Sequence, residues 1–167
     1  MESKRVSVGM KKILALTFLF YLVISGCENE NLPIDSEYLL FGNFYGHCQG
    51  DCFNAFQVDN EKVQSDDADG HFTFDQYQFE STRTLDKSAF SEARSLLKQI
   101  PSELITSEIE SYGCPDCADQ GGYFMIFETD NEKQMIIIDT ADTNDQSEDI
   151  IRFKNLMSAF IEKHRDQ

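Results

Sequence analysis

The spacing of apolar residues most constrains the fold of this chain, because it switches between two periods. Six short runs are aromatic-rich or alternate apolar with polar residues: 38–45, 53–59, 62–65, 72–80, 123–129 and 133–140. A period of two places successive side chains on opposite faces of a sheet, so these runs predict β-strands. The turn-forming residues Asp130-Asn131-Glu132 separate the last two runs and predict a β-hairpin.

In two other segments, mostly apolar residues recur every three to four positions, which is the spacing of one face of a helix. In the first segment, Asp86 predicts the N-cap, and Pro101, which has no N–H to donate, predicts the end of the helix. The second helix is predicted to begin near Ser147 and to close the chain. The repeating faces comprise Phe90, Ala93, Leu97 and Ile100 in the first helix, and Ile150, Phe153, Met157, Phe160, Ile161 and His164 in the second.

The order of strands, helix, strands and helix predicts an α+β fold. We expect an antiparallel sheet of about five to six strands with two main helices packed against it. No Gly-, Ser- or Pro-rich linker divides residues 36–167, so they are expected to form a single domain. The chain is acidic, with 30 Asp and Glu residues against 14 Lys and Arg. A phosphate backbone attracts basic surfaces, so this charge argues against a nucleic-acid partner.

Residues 1–26 predict a signal peptide. Four basic residues precede an uncharged apolar run of twelve residues, 13–24, which is too short to span a bilayer. The run ends in Ile24-Ser25-Gly26-Cys27, which resembles the lipobox of bacterial lipoproteins. The resemblance implies cleavage before Cys27 and attachment of lipid to its thiol, so that the chain would bind a membrane through this lipid.

Residues 27–35 are polar and without a repeating period, and they predict a lipidated tether. Acidic residues directly after Cys27 resemble the surface-export signal of Bacteroidota lipoproteins. That resemblance implies a lipid-anchored position in the cell envelope, at the periplasmic or surface face of the outer membrane. Cleavage would leave 10 of the 14 basic and 29 of the 30 acidic residues, a net charge of −19. An anionic bilayer repels such a charge, so the acidic domain is expected to stand off the membrane.

Two cysteine motifs are the most distinctive features of the expected domain. The first, 46–52, reads GHCQGDC, and the second, 113–122, reads GCPDCADQGG. Together with FGNFYGHC at 41–48, they resemble an uncharacterised family of small Bacteroidota lipoproteins that carry a CPDCADxGG segment. This resemblance implies no known activity, so the chemistry must be weighed from the residues.

Disulfide bonds are the first interpretation of the four cysteines Cys48, Cys52, Cys114 and Cys117, because exported proteins meet oxidising conditions. Three connectivities are possible, and the sequence does not choose among them. Cys114 and Cys117 could close a local turn. A bridge between the two motifs would instead close a loop of about 60 residues and would contribute about 4 kcal/mol.

Zinc binding and thiol redox chemistry are the other two interpretations. The two pairs could supply a tetrahedral zinc site, with His47 as a substitute ligand. A C-P-x-C pair also invites comparison with disulfide oxidoreductases, whose first cysteine lies at a helix N-terminus. Here a glycine pair and a predicted strand follow Cys117, and Asp116 would raise the pKa of a neighbouring thiol.

An acidic cluster precedes and begins the last predicted helix. Weak binding of a divalent cation is one interpretation, and a solvated loop and helix cap is the expected one. The cluster comprises Asp139, Asp142, Asp145, Glu148 and Asp149.

No hydrolase or nucleotide-binding motif is present. We therefore expect a lipid-anchored envelope protein that is not an enzyme, needs no cofactor and acts by binding an unknown protein or glycan. The alternative is a thiol-redox or zinc-dependent envelope protein that uses the two cysteine pairs.

Overall fold

The computed structural model describes residues 36–50, 52–66, 77–129 and 132–165, and all of them belong to one compact unit. Its strands are β1 Leu39–Phe44, β2 Phe53–Val58, β3 Val63–Asp66, β4 Arg83–Thr84, β5 Ser111–Tyr112, β6 Gly122–Thr129 and β7 Glu132–Asp139. Its helices are α1 Lys87–Leu97, α2 Ser102–Thr106 and α3 Glu148–His164. Within the described ranges, no helix has the length and apolar character needed to cross a bilayer.

The α+β prediction is confirmed. The strands form one sheet in the order β4-β3-β2-β1-β6-β7-β5, with α1 and α3 as the two substantial helices. Seven strands are present among the described residues rather than five or six, because the two-residue strands β4 and β5 extend the two edges. All pairs are antiparallel except β5 with β7, which run parallel.

The strand predicted at 72–80 is wrong over residues 77–80, and residues 72–76 lie outside the described ranges. The 77–80 segment forms no strand, and the Glu80 N–H donates to the Asp66 carboxylate at 3.0 Å instead of to a backbone carbonyl of β3. The Tyr77 ring packs edge-on against Phe53 and Phe124, with centroid distances of 5.4 and 6.3 Å. The aromatic residues that cover the sheet here have a composition typical of a strand, which explains the wrong prediction.

The first helix ends earlier than the sequence predicts. Asp86 is its N-cap, as expected, and its carboxylate accepts a hydrogen bond from the Ala89 N–H at 2.8 Å. The helix stops at Leu97, and Pro101 instead caps the start of α2, which the sequence did not predict. A proline suits a helix start because its fixed φ fits there and no N–H is needed.

The sheet is buried on both faces. On the helical face, Phe160 of α3 packs edge-on against Phe41 and Phe56, with ring centroids 5.5 and 5.3 Å away. On the second face, a smaller core contains the buried residues Leu40, Phe44, Phe53, Ala55, Phe124 and Ile126. Every residue of β1 is consequently buried. Gly42 allows this packing, since a Cβ there would lie 2.8 Å from the Phe124 ring.

Candidate functional site

Both cysteine motifs lie at one end of the sheet, which we call the disulfide end. The β1–β2 loop and the β5–β6 loop leave the sheet there because Phe44, the last residue of β1, pairs with both Phe53 and Gly122. Asp139, the last residue of β7, pairs with Gly122 on the far side of β6. The strand order β2-β1-β6-β7 thus brings together loops that are distant in sequence.

The first loop, residues 45–52, is closed by a disulfide between Cys48 and Cys52, whose Cα atoms lie 5.4 Å apart. The Tyr45 N–H donates to the Cys52 carbonyl at 2.8 Å, which extends the β1–β2 ladder by one bond. Cys52 is buried, with 2% of its surface exposed, whereas Cys48 is only partly covered. One sulfur of this bridge is therefore shielded by the sheet.

The second loop, residues 113–121, is closed by a disulfide between Cys114 and Cys117, whose Cα atoms lie 5.5 Å apart. The Cys117 N–H donates to the Cys114 carbonyl at 3.2 Å, so the pair spans a tight turn. Asp116 and Asp119 have φ values of 62° and 57°, which are left-handed and not helical. Both cysteines are exposed.

The pairing is therefore local in both motifs, and no bridge joins the first motif to the second. All four sulfurs lie in disulfides, whereas a zinc site needs free thiolates. In the described part of the chain, no group of three or more His, Cys, Asp or Glu residues is arranged to hold a metal ion. The position of Cys27 lies outside the described residues.

Asp139 anchors the second loop to the sheet. Its Oδ2 accepts a hydrogen bond from the Cys114 N–H at 2.9 Å, and its Oδ1 accepts from the Ala141 N–H at 2.9 Å and the Gln120 side chain at 3.2 Å. Burial disfavours the charged form, but the Ala141, Cys114 and Gln120 donors and the nearby Lys154 hold the pKa of Asp139 below its ordinary value. Asp139 is only 3% exposed, so the prediction of a solvated loop is wrong for this residue.

Asp145 holds the same loop from the β7–α3 connection. Its Oδ2 accepts from the Gly113 N–H at 2.7 Å, and its Oδ1 accepts from the Thr143 hydroxyl at 2.5 Å. These two donors lower the pKa of Asp145. Gly113, with φ of 79°, lies so close to Asp139 that a Cβ would come within 2.6 Å of the Asp139 Cβ. Glycine is required at this position on both grounds.

Lys154 of α3 fixes the β7–α3 connection, a role that was not among the sequence-based predictions. Its Nζ donates to the Ala141 carbonyl at 2.9 Å, to the Asp142 carboxylate at 2.9 Å and to the Gln146 side chain at 2.8 Å. The side chain is only 2% exposed. A signal was present in the sequence, because position 154 lies between Ile150 and Met157 on the apolar face of α3.

The two disulfide loops contact each other. His47 Nδ1 lies 3.1 Å from Asp119 Oδ1, with both side chains exposed. Gly46 packs directly against the Asp116 carboxylate, whose Oδ1 also accepts from the Gly121 N–H at 3.0 Å. His47 therefore faces an acidic partner on the other loop and does not approach a set of metal ligands.

A cavity of about 440 Å³ opens beside this contact. Phe44 and Ile137 contribute apolar surface from the second face of the sheet, and Pro115 adds to it. Ser111 and Asp116 supply polar groups, and Cys117 brings the exposed disulfide to the cavity. Two disulfide-closed loops and a mixed apolar and polar cavity thus share one end of the domain.

Comparisons of the chain with models of protein families, with curated proteins and with solved structures found no match.

Proposed function

We propose that the chain is a lipid-anchored envelope protein that binds a protein or glycan partner through its disulfide end and is not an enzyme. The observation that carries this proposal is the cavity of about 440 Å³ beside two disulfide-closed loops that Asp139 and Asp145 anchor to the sheet. Loops held in one conformation lose little entropy when a ligand binds, which is what a recognition surface requires.

Lipid attachment at Cys27 is part of the same proposal. Residues 1–26 would be removed as a signal peptide, and 27–35 would tether the domain to the outer membrane. The disulfides support an extracytoplasmic location, because such bonds persist in oxidising compartments and are rare in the cytosol. Strand β1 begins at Leu39, at the end of the sheet opposite the disulfide end.

The geometry of the second loop favours recognition over thiol redox catalysis. Catalytic cysteines of the C-x-x-C type lie at helix N-termini, where the helix stabilises the thiolate. Here Cys114 begins a turn, Asp116 adopts a left-handed conformation, and the chain continues into β6 at Gly122. No helical N–H groups follow Cys114 to stabilise a thiolate.

The lipid anchor can be tested by metabolic labelling with an alkyne-tagged fatty acid. The wild-type chain is expected to carry the label, and Cys27→Ser is expected to lose it. The matched control is Cys48→Ser, which should keep the label because Cys48 lies in the domain. Labelling of Cys27→Ser at the wild-type level would refute lipidation at this residue.

The binding surface can be tested with a photo-crosslinking amino acid in intact cells. Placed at Ser111, which is exposed and lines the cavity, it should yield a discrete adduct, and the matched position Glu61 at the opposite end should not. A glycan array probed with the chain covers the case of a glycan partner. Equal adducts at both positions, or no adduct together with no glycan bound, would contradict the proposal.

A further inference from the structure

The outer edge of β7 is only half covered. β5 pairs with it through Ser111 opposite Ile137 and Tyr112 opposite Ile138, and the Ile137 N–H donates to the Glu110 carbonyl at 2.8 Å. The backbone groups of Ile137 therefore point away from β6. Strand geometry repeats every two residues, so those of Met135 and Lys133 point the same way. Among the described residues, backbone pairing on this side of β7 involves only Ile137 and Ile138.

A groove of about 360 Å³ lies along this uncovered half of the edge. One wall is 133–136 of β7. The other is 105–110, which comprises the end of α2 and the segment that leads into β5. The β6–β7 ladder runs without interruption from Gly122 to Thr129, so β7 has no bulge to blunt its edge. Ile109 projects an apolar side chain here and is 52% exposed.

The charge of the groove selects among possible occupants. Glu108 and Glu110 contribute two negative charges against the single positive charge of Lys133, on a chain whose net charge is −16. A second copy would bring the same acidic groove and the same excess of negative charge, so like charges would oppose pairing of two copies. An extended segment with basic side chains would instead be attracted.

We propose that the edge of β7 at 133–136 accepts an extended, basic segment of a partner protein as an added strand. The backbone N–H and C=O groups of Lys133 and Met135 would pair with that segment, and Glu108 and Glu110 would bind its basic side chains. Addition of a strand to an open sheet edge is a recurring mode of peptide recognition. This surface is separate from the disulfide end, so the inference does not depend on the proposed function.

The direct test uses a synthetic eight-residue peptide of alternating valine and lysine, with blocked termini and a fluorescent label. Titrated with the full chain in detergent, this peptide should bind and should slow amide hydrogen exchange at 133–136. An analogue of alternating valine and glutamate should bind at least tenfold more weakly. The basic peptide with every second amide N-methylated should lose binding, because its donors to β7 are removed. Equal binding of the acidic or the N-methylated analogue would overturn the proposal.

Variants of the chain locate the site. Met135→Pro removes one outward N–H but leaves the groups of Gln134 and Ile136 that face β6, so a folded variant should bind the basic peptide at least tenfold more weakly. If Met135→Pro does not fold, the double variant Glu108→Lys and Glu110→Lys tests the proposal instead. This double variant should bind the acidic analogue more tightly than the basic peptide. The matched control Glu61→Lys, in the β2–β3 turn, should change nothing.

The same variants test whether a second copy of the chain occupies the β7 edge instead. Sedimentation of the chain over a range of concentrations should show no dimer that depends on the β7 edge. A dimer that Met135→Pro abolishes would assign the edge to a second copy and overturn the proposal. Exchange protection by the basic peptide at a surface other than 133–136 would also overturn it.

Discussion

Asp139 accepts a hydrogen bond from the backbone N–H of Cys114 at 2.9 Å, and this bond ties the end of β7 to the start of the second disulfide turn. The same carboxylate receives the N–H of Ala141 and the side-chain amide of Gln120. One buried anion thus accepts hydrogen bonds from both the second loop and the β7–α3 connection. Removing its charge should therefore loosen both segments.

Asp139→Asn is expected to lower the free energy of unfolding by about 1–3 kcal/mol, because the amide removes the charge and leaves at least one donor unmatched. Urea denaturation followed by circular dichroism measures the change. The matched control is Asp149→Asn, an exposed carboxylate that pairs with the exposed Arg152 one turn on, where the change should stay within about 0.5 kcal/mol. Equal effects at the two positions would refute the anchoring role of Asp139.

Stability should fall in acid, and Asp139 should contribute to the fall. Its pKa is lower in the folded chain than in the unfolded chain, as are those of Asp145 and Glu92. A carboxyl group of this kind stabilises the fold above its unfolded pKa of about 4, and the contribution is lost as the pH falls through the folded value. The urea midpoint should be flat near neutral pH and should decline below about pH 4–5. The decline should be shallower in Asp139→Asn, and identical profiles would contradict the assignment.

The two disulfides should differ in their rates of reduction. Both sulfurs of the Cys114–Cys117 bridge belong to exposed residues, whereas Cys52 of the other bridge is buried. Thiol–disulfide exchange requires access to a sulfur, so a limiting amount of reductant should open Cys114–Cys117 first. Alkylation and mass spectrometry of peptides measure the order. The difference in rate should vanish in denaturant, where both bridges are equally accessible. Faster reduction of Cys48–Cys52 in the native chain would contradict this prediction.

Lys154→Met should loosen the β7–α3 connection while leaving the helix in place. Methionine matches the length of the lysine stem, but it cannot donate to the Ala141 carbonyl, Asp142 or Gln146. Amide exchange at 141–146 should accelerate, and unfolding should become easier by about 1–3 kcal/mol. Lys163→Met, which removes an exposed pairing with Glu92, serves as the control and should leave 141–146 unchanged.

Phe160→Ala should be the most damaging of the substitutions considered for α3. The ring packs against Phe41 and Phe56, so truncation leaves a cavity and should cost about 3–5 kcal/mol. Leu156→Ala lies on the same helix at a site that is 36% exposed, and it should cost less than about 1 kcal/mol. Urea midpoints of the two variants give the comparison directly.

The long periodic elements of this fold were predictable, because the apolar pattern that buries them is a local property. The cap Asp86 and the start of α3 near Ser147 were predictable for the same reason, since a helix start depends on neighbours within a few residues. Strands β4 and β5 were not, because two residues contain no period. The 77–80 segment was mistaken for a strand because tertiary packing of Tyr77 imposes an aromatic composition without a ladder.

The candidate site was predictable only in part. Its cysteines were identified, but the adjacency of the two loops follows from β6 pairing with β1, which no local pattern encodes. In the sequence, Asp139 is one of several acidic residues near a loop. Its burial in the structure depends on hydrogen bonds donated by Cys114 and Gln120, which are distant from it in sequence. The groove beside β7 arises because β5 is too short to cover it, which is again a property of the assembled sheet.

The position of β1 has a consequence for how the chain folds as it is made. This first strand lies in the middle of the sheet, where Leu39 pairs with Val58 on one side and with Phe127 on the other. Pairing with β2 can form early because the two strands are neighbours in sequence. The other edge of β1 can pair only after β6 has been synthesised. During that interval the growing chain presents an unpaired hydrophobic strand to its surroundings, and chaperones that bind extended apolar segments would find their target there.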